Sequence, residues 1–349
     1  MSHYAAVALQ LAARSVEHCA DRAAVSEQVL AHIAEVAGKL RASAIFIEQF
    51  GGTPVRLAVL PEYLFTSYPG RIGIAEYAAK VAWDMDGPEY DALGRIAEAQ
   101  ALWLAGNAYE RDPAFPGLYF QTSFVVSPDG AVVLRYRRLN SMYAPTPHDI
   151  WSAYLDRYGL DGVFPVARTE IGNLAAIASE EILYPEIARA HALRGAEVFV
   201  HSSSEIGSPM PTPKSIARRA RAWENAAYVV SCNTAGVHGA GLPQDCADGQ
   251  SAIIGYKGEV ISLANPGETF VAFADLDLAA LRTQRRKPGM TNSLARQRLE
   301  LFAPVYASAS PQRADSLIGA DGAIAVPERG HFRRTMLQTI ERLSTEGLI

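Results

Sequence analysis

A chain of 349 residues, 49% hydrophobic and 20% charged, has ordinary globular composition and is long enough for one large core or two modest ones. A formal charge of −5 excludes the basic footprint of a nucleic-acid binder, and with no long apolar run and no basic, cleavable N-terminal stretch we expect neither a membrane span nor a secretory leader. The expected setting is cytoplasmic, with small molecules or other proteins as partners. Three cysteines, Cys19, Cys232 and Cys246, form no CxxC pair and predict neither a disulfide framework nor a structural zinc site; Cys232 reads as core.

In chain order, YAAVALQL (4–11) predicts a buried strand, and Val25, Val29, Ile33, Val36 and Leu40 recur at helical spacing on a segment that Asp21 can cap. GGTP within 46–55 interrupts the pattern ahead of the strand RLAVL; a helix over 88–101 and the strand LWLAGNAYE follow. YFQTSFVVSPDGAVVLRYRRL predicts a hairpin turning at Pro128-Asp129-Gly130. A strand over 174–178 runs into an acidic turn and a helix ending at Arg194-Gly195, then a strand from 198. The helix KSIARRARAWENA precedes the strands AYVVSCN, SAIIGYKGEVISL and TFVAFADLDL. Alternating strands and helices mixed with hairpins predict an α/β sandwich of mixed sheets. Near residue 307 the composition shifts to Ser, Ala, Asp, Gly and Pro, so we expect a main domain over 1–307 and a C-terminal extension over 308–349, loosely ordered or laid on a partner subunit. No phosphate-binding glycine loop is present.

Four places carry potential chemistry. In LPEYLFTSYPG a strand ends on Glu62 and the aromatic Tyr63, where desolvation favours a carboxylate that accepts protons, although a surface strand end fits equally. In RYRRLN, Arg135 and Arg137 fall on one face and Arg138 on the other. APTPHDIW places His148 and Asp149 in a Pro-rich loop that is either a polar pair at a site or a capped turn. Ser179, followed by Glu180 and Glu181, stands where a strand gives way to a helix, and a Ser in such a place is far more often a cap than a nucleophile.

Taken together, LPEYLFTSYP, SPDGAVVLRYRRL, SEEILYPEIAR backed by GAEVFVHSS, then RARAWENAAYVVSCNTAG and GQSAIIGYKGEVI are collinear over about 4–300 with, and resemble, the carbon–nitrogen hydrolase (nitrilase) superfamily. The resemblance implies a four-layer α-β-β-α sandwich, pairing of subunits through helices into a homodimer or higher homo-oligomer, and cleavage of nonpeptide C–N bonds in small amides, ureas or nitriles. It implies no metal or organic cofactor, and a site built from a Glu base, a Lys, a second Glu and a Cys nucleophile. By that resemblance the base matches Glu62; the lysine falls on Arg138, the cysteine on Ser179 and the second glutamate on Asp149. Tyr63, His148, Glu181, His201 and Lys214 are the candidate substrate-binding residues. Lys214 borders the pocket in that fold and could supply the missing ammonium; a solvated lysine at a helix start is the plainer reading.

Three departures from the pattern weaken the usual chemistry. A serine hydroxyl needs a base during attack where a thiol needs little help, and a carboxylate beside a permanent guanidinium serves poorly as that base. Arg138 cannot shuttle a proton, and Asp149 reaches about one methylene less than a glutamate. Three accounts fit: an engineered Cys-to-Ser trap, a divergent hydrolase with a retuned Glu-Arg-Asp-Ser site, or a non-catalytic relative that binds a ligand or regulates a partner. The loops over 46–55, 142–158 and 204–214 are expected to border the entrance, and their Tyr, Trp and Pro content suggests a partly apolar or aromatic ligand.

Overall fold

The computed structural model describes all residues except 1, 206, 208–210, 245, 248 and 310. Its centre is two sheets packed face to face. One, seven-stranded, runs Phe273–Asp277, His3–Ala8, Val55–Val59, Trp103–Arg111, Phe120–Val126, Val132–Arg137, with the short Trp83–Asp84 strand beside Trp103–Arg111. The other, six-stranded, runs Val260–Leu263, Ala252–Ile254, Tyr228–Asn233, Val198–Ser203, Gly172–Ala178, Ala167–Thr169. Each mixes parallel and antiparallel pairs: His3–Ala8 is parallel to Val55–Val59 and antiparallel to Phe273–Asp277.

The continuous apolar runs follow from two-sided burial. Alternate residues of one strand serve different cores: Tyr4, Ala6 and Ala8 face the opposing sheet, whereas Ala5 and Val7 face the helices. Likewise Leu174, Ala176 and Ala178 enter the inter-sheet core while Ala175 and Ile177 pack outward. The helices Arg22–Gly51 and Pro88–Gln100 cover the first sheet, and Pro185–Leu193 and Pro213–Asn225 cover the second, completing an α-β-β-α sandwich. Asp21 caps the first helix by accepting from the Ala24 N–H at 3.0 Å, as its position predicts.

Residues 46–51 continue that helix, and the interruption comes at Gly52, whose φ of 76° makes the C-cap. The 46–55 segment therefore lies against the helix Pro88–Gln100 side of the molecule, away from the strand ends that carry Glu62 and Ser179. The hairpin forms as predicted, with Gly130 at φ 84°. The chain beyond 307 is anchored on the sandwich at particular points. Leu317 and Phe332 are buried, the Leu317 N–H donates to the Asp149 carbonyl at 2.9 Å, and the helix His331–Thr345 closes the segment. No helix among the described residues is long and apolar enough to cross a membrane.

Candidate active site

The site lies where several strands end on one edge of the sandwich, outside the carboxyl ends of the parallel strands, the usual ligand position in such sheets. Glu62 follows Val55–Val59, Arg138 follows Val132–Arg137, Ser179 follows Gly172–Ala178, and Ser203 and Ser204 close Val198–Ser203. Lys214 enters from the first turn of the helix Pro213–Asn225, whose N-cap Thr212 accepts from the Ser215 N–H. These side chains face a cavity of about 620 Å³ whose walls include Tyr63, Tyr68, Tyr109 and Tyr143.

Glu62 is buried and accepts from three side chains. Its Oε1 accepts from Gln121 Nε2 at 2.6 Å and from Arg138 Nη1 at 3.3 Å, and its Oε2 accepts from the Ser204 hydroxyl. Arg138 also donates from Nη1 to Gln121 Oε1 at 2.5 Å and from Nε to the Asn140 carbonyl at 2.6 Å, and its Nη2 pairs with Glu180. The guanidinium is thus buried between two carboxylates, which together with the rest of its surroundings hold its charge on. Arg135 and Arg137 point the other way, as the strand period requires, and pair with Glu110.

Ser179 sits at φ 49°, a left-handed conformation that costs a non-glycine residue about 1 kcal/mol or more. Its side chain is not the cap: Ser179 is the first residue of the turn Ser179–Leu183, whose N-cap is Ala178. Instead Lys214 Nζ reaches Ser179 Oγ at 3.1 Å and Ser203 Oγ at 3.2 Å. Burial lowers the Lys214 pKa against the opposing pull of Glu62, Glu205 and Glu180.

The strained backbone is fastened from below. His201, fully buried, has its pKa pushed down to about 3 by that burial and is neutral. Because a carbonyl only accepts, His201 Nε2 carries the proton and donates to the Ser179 carbonyl at 2.8 Å, leaving Nδ1 to accept from Ser231 Oγ at 2.8 Å. Arg218 Nη1 donates in turn to Ser231 Oγ at 3.3 Å.

The candidates therefore divide. Glu62, Tyr63, Arg138, Ser179 and Lys214 line one cavity. His201 lies beneath it as a support for Ser179. Glu181 is fully buried outside the lining: its Oε1 accepts from the Leu139 and Asn140 N–H groups at 2.7 and 2.9 Å, and its Oε2 from the Tyr136 hydroxyl at 2.7 Å. It ties the turn after Ser179 to the loop after Arg138. His148 and Asp149 line a neighbouring cleft, which shares Ser141 and Glu180 with the cavity and is bordered by Ala309, Pro311, Gln312, Arg313 and Ser316 of the extension. Asp149 Oδ2 closes a capping box with Thr146, accepting from its N–H and hydroxyl at 2.8 Å each, and Oδ1 accepts from the Ser316 hydroxyl. Of the expected entrance loops, Tyr143, Ala144, Ser204, Glu205 and Lys214 border the cavity, whereas 206 and 208–210 lie outside the described residues.

The reading of the sequence missed Gln121, Ser203 and Ser204. Gln121 was findable as a polar residue breaking the apolar run of its strand, but its partnership with Glu62 needs the sheet register, in which the Arg138 N–H donates to the Gln121 carbonyl. Among the described residues no cluster of three His, Cys, Asp or Glu side chains is arranged to hold a metal.

A four-layer sandwich with a carboxylate, a cation and a hydroxyl at its strand ends defines a class. The family model for carbon–nitrogen hydrolases matches residues 8–286, and the chain belongs to that family. Among curated relatives it is 25% identical over 232 residues to omega-amidase NIT2 of Xenopus tropicalis, covering 66% of this chain and 80% of that protein. It is 28% identical over 199 residues to a formamidase of Bacillus thuringiensis, covering 55% of this chain and 54% of that one. Its fold matches Saccharomyces cerevisiae Nit3, a nitrilase-superfamily member, with a TM-score of 0.62 at 18% identity over 83% of this chain and 96% of that one. A carbon–nitrogen hydrolase from Helicobacter pylori matches with a TM-score of 0.63 at 20% identity over 87% and 98%.

Proposed function

We propose that this family member cleaves a small nonpeptide amide, nitrile or carbamoyl compound, with Ser179 Oγ as the nucleophile in place of the usual thiol. The observation that carries this reading is the state of Ser179: a hydroxyl spent on no cap, held on a strained backbone, facing a cavity that also presents Lys214, Glu62 and Arg138. In this reading Ser179 Oγ adds to the carbonyl carbon of an amide, the C–N bond breaks as the protonated amine leaves, and water releases the acid from the serine ester; a nitrile first gives an imidate, which one water converts to that ester with loss of ammonia. Its presence in the lining beside Ser179 supports a role for the Arg138 guanidinium in stabilising oxyanion charge, with Glu62, Gln121 and Glu180 fixing its plane. The names of the omega-amidase and formamidase relatives support amides as the first class to try. The tyrosine-rich walls suit a substrate with an apolar or aromatic part.

The test is to incubate the protein, a Ser179→Ala form and a Ser179→Cys form with a panel of short-chain amides, nitriles and carbamoyl compounds, following ammonia release and adducts by intact mass. Turnover in the Ser form and its loss in the Ala form support the reading. Turnover only after Ser179→Cys identifies a disabled thiol site. Ligand binding without an adduct in either form returns the non-catalytic account.

We also propose that copies pair through the second helical layer, where Leu193, Ile216 and Trp223 are more than half exposed. Trp223→Glu should then shift the species seen by light scattering to a monomer; an unchanged mass sinks the assignment of that face.

A further inference from the structure

Ser179 needs a proton acceptor, and the position of Glu62 argues against its being that group. Both of its oxygens are occupied by Gln121, Arg138 and Ser204, and neither bonds Ser179. The basic atom that the hydroxyl does meet is an amine. Lys214 Nζ is 3.1 Å from Ser179 Oγ, within the range for direct proton transfer, and its second contact, Ser203 Oγ at 3.2 Å, holds the amine on that line. Resting on the reading of Ser179 as nucleophile, we infer that Ser179 and Lys214 form a catalytic dyad in which the Lys214 amine is the general base, with Ser203 positioning it.

The step balances without a further reactant. The neutral Lys214 amine accepts the Ser179 Oγ–H as Oγ bonds to the substrate carbon, and the resulting ammonium returns that proton to the nitrogen that leaves when the C–N bond breaks. Lys214 then takes a proton from water as the water oxygen attacks the ester, and passes it to Ser179 Oγ on release of the acid. The sum is amide plus water giving carboxylic acid plus amine. Such a base must be available uncharged, and the surroundings of Lys214 favour that form. It is half-buried, and it faces Arg138, a permanent like charge. The acids around it are committed elsewhere: Glu62 and Glu180 to Arg138, Glu205 toward Arg218 at 3.9 Å. His201 beneath is neutral, and Arg329 from the C-terminal extension lines the same cavity. Burial outweighs the carboxylates and moves the Lys214 pKa downward.

The probe is an alkyl fluorophosphonate, which traps an activated serine by forming an Oγ–P bond as the P–F bond breaks. Labelling is followed by intact mass and peptide mapping from pH 5 to pH 10. In the unaltered protein the adduct should map to Ser179, and its rate should rise through a single ionisation below the ordinary lysine range. Lys214→Met and Lys214→Arg should each slow labelling by about 100-fold or more and remove that ionisation, with thermal melting reporting the fold. Added ethylamine should partly restore labelling in Lys214→Ala, which a merely structural lysine would not permit. Unchanged rate and pH profile in the Lys214 variants overturn the dyad while leaving Ser179 as nucleophile. A profile of the unaltered protein that rises in the carboxylate range overturns it in favour of Glu62, whatever the stability of the variants. Failure of Ser179 to label at any pH overturns the nucleophile reading together with the dyad.

Discussion

At the scale of single residues, the chemistry of this site turns on which groups are already committed. Lys214 Nζ contacts Ser179 Oγ, Glu62 accepts from Gln121, Arg138 and Ser204, and His201 donates to the Ser179 carbonyl. Replacing His201 with Phe removes the donor to the Ser179 carbonyl and leaves the Ser231 hydroxyl without a partner on that side. We expect a loss of about 1–3 kcal/mol in chemical denaturation and a fall in turnover larger than that in substrate affinity. Titration adds a second expectation. His191 and His201 are held neutral with their pKa pushed down to about 3, and His32 to about 4, all chiefly by burial. Because these folded values lie below that of an exposed histidine, their stabilising effect is complete above about pH 6.5 and is lost as pH falls toward the folded values. Each costs about 1.4 kcal/mol per pH unit inside that window, so denaturation midpoints should drop steeply between about pH 6 and 4. A flat midpoint over that range would contradict three buried neutral rings.

Between elements, Glu181 joins the turn Ser179–Leu183 to the loop that carries Arg138, so one carboxylate sets the distance between the Ser179 turn and the Arg138 guanidinium. Glu181→Gln keeps the shape but removes the charge that strengthens both backbone bonds, and its Nε2 forces the Tyr136 hydroxyl to accept where it now donates. It should destabilise by about 2–3 kcal/mol and lower turnover without touching the cavity wall. Helix and hairpin meet as closely. The helix residue Gly94 lies so near the hairpin turn that an added Cβ would stand 2.7 Å from the Gly130 carbonyl oxygen. Helix propensity alone predicts that Gly94→Ala stabilises by about 1 kcal/mol, but a backbone contact that cannot yield reverses the sign. Thermal melting should therefore show a lower midpoint for Gly94→Ala; a higher one would mean that the two elements separate at little cost.

For the whole molecule, the extension past residue 307 carries both structure and site. Leu317 inserts among Phe115, Leu118, Ile150 and Tyr154, and Arg329 reaches the cavity lining. Leu317→Ala should cost about 2–4 kcal/mol by the cavity it leaves, measurable as a shift in the urea midpoint of the full chain. The segment that borders His148 and Asp149 is the same one, which explains why those two residues, legible as a polar pair in sequence, belong to an interface within the chain.

Local pattern was enough for most of the elements, whereas the class came from the resemblance of several collinear motifs to a known family. Two-sided burial wrote continuous apolar strands, Asp21 and Gly130 marked a helix start and a turn, and the strand period separated Arg138 from Arg135 and Arg137. Those signals are local because they depend on backbone geometry and on which face is wet. The partners of each polar side chain were decided only in three dimensions. Gln121 and Ser204 meet Glu62 across 59 and 142 residues of chain, and Lys214 meets Ser179 across 35. A hydroxyl or a carboxylate looks the same in sequence whether it caps a turn, as Asp149 does, or faces a cavity, as Ser179 does. The difference lies in what the packed sheets bring within 3 Å or so of it, and no spacing along the chain encodes that distance.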